Sequence, residues 1–250
     1  MEKSDFIKRI EDLAARCEKN SGVTFTSFLT PAEQYELSCS GICSATGGPS
    51  LLLSGGGAEC ERKIAFFLPW YMEPESFEIP DYICALKLRS FFGEPGHRDY
   101  LGAVLGLGIS RDRIGDIIVL GDTAYLYCLP GIKRAVLELE KVGRCGVKVS
   151  ELPLSEVPAP EREVRKLSFT VKSLRLDAVV GDMFGVSRTK AAEFIRLGAV
   201  SLNYSVCEKT DAEVRENDVI SLRGKGKGCI TSVGGKSKKD RLFIEAEILK

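Results

Sequence analysis

Ser187-Arg188-Thr189-Lys190 puts two cations in what reads as the first turn of a helix, a spacing suited to holding an anion. Ser187 is an N-cap residue whose side-chain oxygen can accept from an otherwise unpaired N–H. Ala191, Phe194 and Ile195 then carry an apolar stripe until Gly198 stops the helix. Cations in a first turn oppose the helix macrodipole by roughly 0.3–1 kcal/mol each, so Arg188 and Lys190 do nothing for the helix itself. A phosphate group would reverse that balance, because backbone N–H groups and positive charge would meet it together. Arg196, two turns on, falls on roughly the side of Arg188. The alternative for such residues is a solvated helix face.

The elements that must position these side chains follow from the flanking pattern. Leu176, Val179, Val180, Met183 and Phe184 recur at helical spacing, with Ser173 as the expected cap, so a first helix packs beside the second. Residues 200–203 and 219–222 read as short strands, with Glu216-Asn217-Asp218 as the turn before the second. The helix pair therefore rests on a small sheet. Residues 229–233 and 242–248 read as a further hairpin. Basic residues gather around this frame. Residues 161–250 hold 18 Lys and Arg against 13 Asp and Glu, leaving 17 against 22 before them in a chain of formal net charge +0. The excess sharpens in two glycine-containing stretches, one with Lys225 and Lys227, the other with Lys236, Lys238 and Lys239, which read either as cationic tips for a phosphate backbone or as soluble turns.

Arg-Leu-Asp at 175–177, Ser-Arg-x-x-Ala at 187–191, Gly-x-Val-x-x-Asn at 198–203 and Asn-Asp-Val-Ile at 217–220 occur in that order. This arrangement resembles the S4 RNA-binding domain. The resemblance implies that Arg175, Ser187, Arg188, Lys190 and Arg196 grip structured ribosomal or transfer RNA. Lys172, Asn203 and the lysines of the two basic stretches extend the expected contacts. Asp177 is expected to favour its own helix terminus or to pair with Arg175.

Upstream, residues 2–19 suit an amphipathic helix through Phe6, Ile10, Leu13, Ala14 and Cys17, and Thr30-Pro31-Ala32-Glu33 is a capping box with Pro at the first helical position. Residues 51–53 and 63–68 read as strands. The Gly55-Gly56-Gly57 run between them is not a phosphate loop, since no Gly-Lys-Ser/Thr follows and its flanks run strand to strand. Then come a strand at 82–89, a helix at 98–107, strands at 116–120 and 123–129, a helix at 132–142 and a strand at 146–149. That βαββαβ order suggests a ferredoxin-like sheet with both helices on one face. Tyr125 and Tyr127 would share the other face and read as packing residues, the alternative being stacking on bases. The prolines of 151–160 mark a linker.

The string 98–102, Arg-Asp-x-Leu-Gly, and the string 107–117, Leu-Gly-Ile-x-Arg-Asp-x-Ile-Gly-Asp-Ile, stand within that unit and ahead of the S4-like segment. Together they resemble the YlmH family of bacterial S4-domain proteins. The resemblance implies a cytoplasmic RNA-binding protein of the large ribosomal subunit, tied to quality control of stalled nascent chains and to cell division. Arg98, Arg111, Arg113 and Asp116 form either a second RNA contact or an internal salt-bridge cluster. The expected fold is α+β: an N-terminal segment of helices and a hairpin (1–78), a ferredoxin-like domain (79–150), a linker (151–163) and an S4-like domain (164–250).

The remaining composition excludes several classes. At 250 residues, 44% hydrophobic and 28% charged, the chain suits a soluble globular protein of two or three domains. Its first residues lack the regions of a signal peptide, and the longest apolar run, 64–72, contains a Pro and is too short to span a bilayer. Nine cysteines without Cys-x-x-Cys spacing and His97 as the single histidine support neither a disulfide framework nor a zinc site. Cys39 and Cys43 are the nearest pair and read as reduced thiols. No cofactor is expected. The competing class is an RNA-modifying enzyme. Arg175-Leu-Asp177 matches the string around a pseudouridine synthase's catalytic aspartate, but here it opens an S4 helix. The glycines of 101–108 lie within a predicted helix, not in the strand-to-helix loop a methyltransferase needs. With no nucleophile and base to pair, a monomeric noncatalytic RNA binder is the expectation.

Overall fold

The computed structural model describes residues 4–42, 48–57, 59–160, 164–236 and 240–249. The chain divides into two compact units, Met1–Pro160 and Glu161–Lys250. Among the described residues no helix is long and apolar enough to cross a membrane.

The first unit opens with α1 (Asp5–Asn20), which Ser4 caps by accepting the Ile7 N–H at 3.2 Å. After β1 (Thr24–Phe25), the Thr30/Glu33 capping box starts α2 (Pro31–Ser40). β2 (Ser50–Ser54) and β3 (Ile64–Leu68) complete a small antiparallel sheet of order β1-β3-β2. Every residue of β3 is buried. Ala65 and Phe67 pack with Ile10, Ala14 and Cys17 of α1, whereas Ile64, Phe66 and Leu68 pack with Ile83, Ala85 and Tyr127. A strand covered on both faces needs a continuous apolar run, which is why Ile-Ala-Phe-Phe-Leu does not alternate.

The second sheet of this unit follows the expected βαββαβ order with one short strand inserted before the last: β4 (Cys84–Ser90), α3 (His97–Leu105), β5 (Ile114–Leu120), β6 (Thr123–Cys128), α4 (Lys133–Leu137), β7 (Lys141–Val142) and β8 (Cys145–Leu152). Its strand order, β5-β6-β4-β8-β7, is antiparallel throughout and is the ferredoxin-like arrangement with β7 added at one edge. Leu86, Leu88, Leu126 and Cys128 face Tyr100, Val104 and Val136 of the helices. The opposite face carries Tyr127, which is buried, and Tyr125, whose ring lies 6.0 Å from the Lys87 ammonium.

Two expectations need correction here. The helix read over 132–142 ends at Leu137, and Lys141–Val142 is a strand, because the Gly143-Arg144 turn with Gly143 at φ +58° folds Val142 back against Cys145. The stretch read as a linker begins as the end of β8, and Leu152, Leu154 and Val157 pack into the core beside Tyr127. The glycine run of 55–57 exists for close approach. A Cβ on Gly56, whose φ is +95°, would lie 2.7 Å from the Tyr127 ring, and one on Gly57 would lie 2.5 Å from the Tyr127 hydroxyl oxygen.

The second unit holds β9 (Val164–Val171), α5 (Leu176–Phe184), α6 (Arg188–Arg196), β10 (Val200–Leu202), β11 (Ser205–Val206), β12 (Val219–Leu222), β13 (Gly226–Lys236) and β14 (Leu242–Leu249). The sheet order is β11-β10-β12-β13-β14-β9, all antiparallel. β9, which the sequence reading lacks, pairs along its whole length with β14. Val179, Val180 and Met183 of α5 and Ala191 and Ile195 of α6 pack on Ile220, Ile230, Ile244 and Ala246, so both helices cover one face of the sheet.

The role of the glycine run leads to an expected outcome. Gly56→Ala destabilises the first unit by about 1–3 kcal/mol through strain and overpacking. Gly102→Ala, on α3 with nothing within 4 Å of the added Cβ, is neutral or stabilising. Urea unfolding followed by the fluorescence of Trp70, the single tryptophan and part of this unit, distinguishes the two.

Candidate nucleic-acid interface

α5 does not use Ser173 as its cap. Its N-cap position is Arg175, and the first N–H groups of the helix go to carbonyls of a crossing segment, Leu176 N–H to Ala212 O at 2.9 Å and Asp177 N–H to Thr210 O at 3.0 Å. Those bonds satisfy the donors a cap would otherwise take and set Asp177 into the unit at 6% exposure. Two guanidiniums converge on it. Arg175 donates through Nε to Oδ1 at 3.2 Å and through Nη2 to Oδ2 at 3.1 Å. Arg188, from the first residue of α6, donates through Nη2 to the same oxygens at 3.1 and 3.2 Å.

Burial pushes the Asp177 carboxyl upward, but the hydrogen bonds and charges of the two arginines outweigh it and hold the group below the usual carboxylate range. Two cations share the Asp177 carboxylate, and Asp211 also acts on Arg175 from nearby. The Arg175 and Arg188 side chains remain 40% and 58% exposed, leaving guanidinium donors turned to solvent. At the start of α6, Ser187 Oγ accepts the Lys190 N–H at 3.3 Å and Ser187 O accepts that of Ala191 at 2.8 Å. The N–H groups of Arg188 and Thr189 have no partner among the described residues. Positively charged forks beside open helix donors have the chemistry that suits a phosphate oxygen.

The other expected residues do not all join this cluster. Lys190 and Arg196 are exposed. At about 100° per residue, Lys190 lies about 200° around α6 from Arg188, and Arg196 lies about 80° around and about 12 Å further along. Arg196 also sits in the last turn, where a cation favours the macrodipole. Lys172 is exposed directly after β9. Asn203 serves the fold: with Tyr204 it forms a hairpin turn at positive φ, its Nδ2 donates to Asp218 Oδ1 at 2.7 Å and its Oδ1 accepts the Val219 N–H at 2.9 Å. Lys225 is exposed in the β12–β13 turn and Lys227 is half-buried at the start of β13. Lys236 ends that strand, about 30 Å away along it. The two basic stretches therefore serve different ends of the sheet. The side chain of Lys236, and all of Lys238 and Lys239, lie outside the described residues.

The Arg98, Arg111, Arg113 and Asp116 group is not one cluster. Arg98 is exposed on α3 and Arg113 is exposed in the turn before β5. Arg111 Nη1 donates to the carbonyls of Ile114 (2.6 Å) and Gly115 (3.0 Å), while Asp116 accepts the backbone N–H groups of Glu61 (2.5 Å) and Arg62 (3.1 Å). The sequence reading missed Arg62, whose guanidinium donates to Ile114 O (3.1 Å) and Phe28 O (2.8 Å). Its one signal is its place beside Lys63, just before an entirely apolar strand. Among the described residues no group of three or more His, Cys, Asp or Glu side chains could hold a metal ion.

Residues 73–156 match the family model described as the putative RNA-binding domain in YlmH, and residues 174–220 match that of the S4 domain. The chain is similar to the ribosome-associated protein quality control protein P2 of Bacillus subtilis (strain 168), with 33% identity over 223 residues that cover 89% of this chain and 86% of that protein. It also shares its fold with the solved structure of the cell division protein ylmH from Streptococcus pneumoniae, at a TM-score of 0.52 and 21% identity over 62% of this chain and 96% of that one. Arg175, Asp177 and Arg188 all fall inside the S4 match.

The shared carboxylate makes a pH signature. Because the folded Asp177 titrates below its ordinary value near 3.9, its stabilisation is fully present above that value and is lost as pH falls through the lower, folded one. Asp177→Asn is therefore expected to lower stability by about 1–3 kcal/mol at neutral pH. The gap to the wild type stays constant down to about pH 4 and closes below it, as measured by urea unfolding at a series of pH values.

Proposed function

Because the chain belongs to the YlmH family of S4-domain RNA-binding proteins, we propose that it binds structured ribosomal or transfer RNA on the large ribosomal subunit and acts there in quality control of stalled nascent chains. The observation that carries this reading is the pair of guanidiniums fixed on Asp177 beside the open N-terminus of α6. The name of the Bacillus relative supports the ribosomal setting. A link to cell division enters through family membership. In this reading the protein is a cytoplasmic monomer without catalysis of its own, and its task is to place a folded RNA.

The clamp works by position. Arg175 and Arg188 already lie on Asp177, so an arriving phosphate meets donors whose rotamers are set, and the ordering cost of long side chains is smaller than for free arginines. Arg196, about 80° around α6 from Arg188 and about 12 Å further along, reaches a neighbouring phosphate of the same backbone, whereas Lys190, about 200° around, faces away from it. Such contacts fix register and orientation, not nucleotide sequence.

Binding to purified large-subunit particles across a salt series tests this. Affinity falls steeply with salt, and Arg175→Ala, Arg188→Ala and Arg196→Ala each reduce the slope of log K against log salt by roughly one, more than Lys190→Ala on the far side of α6 does. A salt-insensitive association would overturn the reading in favour of a protein-facing surface.

A further inference from the structure

Two adjacent phenyl rings leave β4 into solvent, Phe91 at 68% and Phe92 at 63% exposure. Each leaves most of its apolar surface in water, where burial would be favourable. The loop itself is ordered by polar bonds: the Phe91 N–H donates to Gly146 O at 2.9 Å, Ser90 Oγ donates to Phe92 O at 2.7 Å, and the Asp99 carboxylate accepts the Gly96 N–H at 2.8 Å. The rings are thus presented on a held backbone.

Cations rim them. Arg89 and Lys148 face each other across β4 and β8, next to the Ser90–Val147 pair. Arg144 lies two residues before Gly146, and a Cβ on Gly146 would stand 3.1 Å from the Phe91 ring. Arg98 is the second residue of α3, and its neighbour Asp99 approaches Gly143 of the β7–β8 turn, 4.0 Å from a Cβ placed there. Arg89 pairs with Asp122 at 3.4 Å, whereas Arg98, Arg144 and Lys148 are exposed and make no ion pair among the described residues. Of the nearby acids, Asp99 is occupied at the start of α3, which leaves Glu94 and Glu140 against those three cations and Lys141.

We propose that Phe91 and Phe92 stack on unpaired nucleobases of RNA while Arg98, Arg144 and Lys148 engage the adjoining phosphates, a second RNA contact on the first unit. The inference rests on the RNA-binding reading above and gives it a substrate class: an RNA with splayed, single-stranded bases. Exposed aromatics interleaved with cations are the means by which RNA loops and single strands are held, because every base has a π-face. The sheet face that a four-stranded RNA-recognition fold uses for stacking is closed here by Tyr127 under β3, so stacking falls to the loop. The whole patch lies inside the match to the putative RNA-binding domain.

The test uses the full chain with two probes, a hairpin RNA carrying 2-aminopurine in an unpaired loop and a blunt duplex of equal length with the fluorophore paired. Wild type quenches the loop probe. Phe91→Ala and Phe92→Ala each weaken hairpin binding by about fivefold to a hundredfold, leave duplex binding and the salt slope unchanged, and are rescued by Phe→Tyr. Both rings are exposed, so thermal unfolding of the variants matches wild type. If wild type binds neither probe, the RNA-binding reading falls and the stacking site with it. If Arg188→Ala weakens both probes while the phenylalanine variants bind like wild type, the stacking site alone is overturned. It is also overturned if the variants lose hairpin and duplex equally, or if they lose only ribosomal particles while naked RNA binding persists, which would mark a protein partner.

Discussion

Asp177 sets its carboxylate almost wholly out of water at the start of α5, where each oxygen accepts from both Arg175 and Arg188. The second unit's cationic surface is organised around that constraint. A buried carboxylate alone would cost several kcal/mol, so it must be paired, and pairing it with two guanidiniums draws α6 onto α5 by its first residue. The same aspartate lies in the first turn of its helix, where negative charge favours the macrodipole. One side chain therefore stabilises α5, fixes α6 and leaves guanidinium donors at the surface.

The same residue types serve a different purpose in the first unit. Arg62 and Arg111 donate to main-chain carbonyls of Phe28, Ile114 and Gly115, and Asp116 accepts main-chain N–H groups of the β2–β3 connection. These charges satisfy backbone groups that no sheet ladder reaches, which is a condition for burying such loops. The difference from the Asp177 site is where the donors point. Arg111 turns to carbonyls, whereas Arg175 and Arg188 turn to a carboxylate whose oxygens they share, with donors left over for solvent.

Much of the fold was legible because its signals are local. The caps at Ser187 and Thr30, the periodicity of α5 and α6, and the βαββαβ order of the central sheet depend on residues within a few positions of each other. β9 was not legible: it is an edge strand whose partner, β14, lies at the other end of the unit's sequence, and only Leu167, Phe169 and Val171 mark its inner face. Val142 fitted a helical stripe and proved to be a strand residue, because the turn at Gly143 outweighs a short apolar period. At the site, the types and positions of Arg175 and Arg188 were readable, and their common partner was not. Whether Asp177 meets one arginine or two depends on the approach of two helices, which no spacing encodes. Asn203 shows the converse. Its place in the S4 pattern suggested a ligand contact, and the positive φ at that turn explains an asparagine there without one.

In the proposed function, the clamp built from Arg175, Arg188 and helix donors takes phosphate, which every RNA carries in the same form. Charge of this kind supplies affinity that salt screens and orientation that is blind to sequence. Discrimination among RNAs must then come from the shape that brings several phosphates to the clamp and Arg196 at once, or from groups that meet bases directly. In the second unit Asn203 is committed to its turn, Tyr204, the aromatic beside it, is held in the same hairpin, and Phe243 of β14 is an exposed ring. The first unit is differently equipped, with exposed phenyl rings on a bonded loop and its interior tyrosine sealed beneath β3. Stacking is weakly dependent on salt and needs a base free of its partner, so a chain using both surfaces would favour folded RNA that also displays unpaired nucleotides, and would retain that preference where ionic strength has removed most of the backbone's pull.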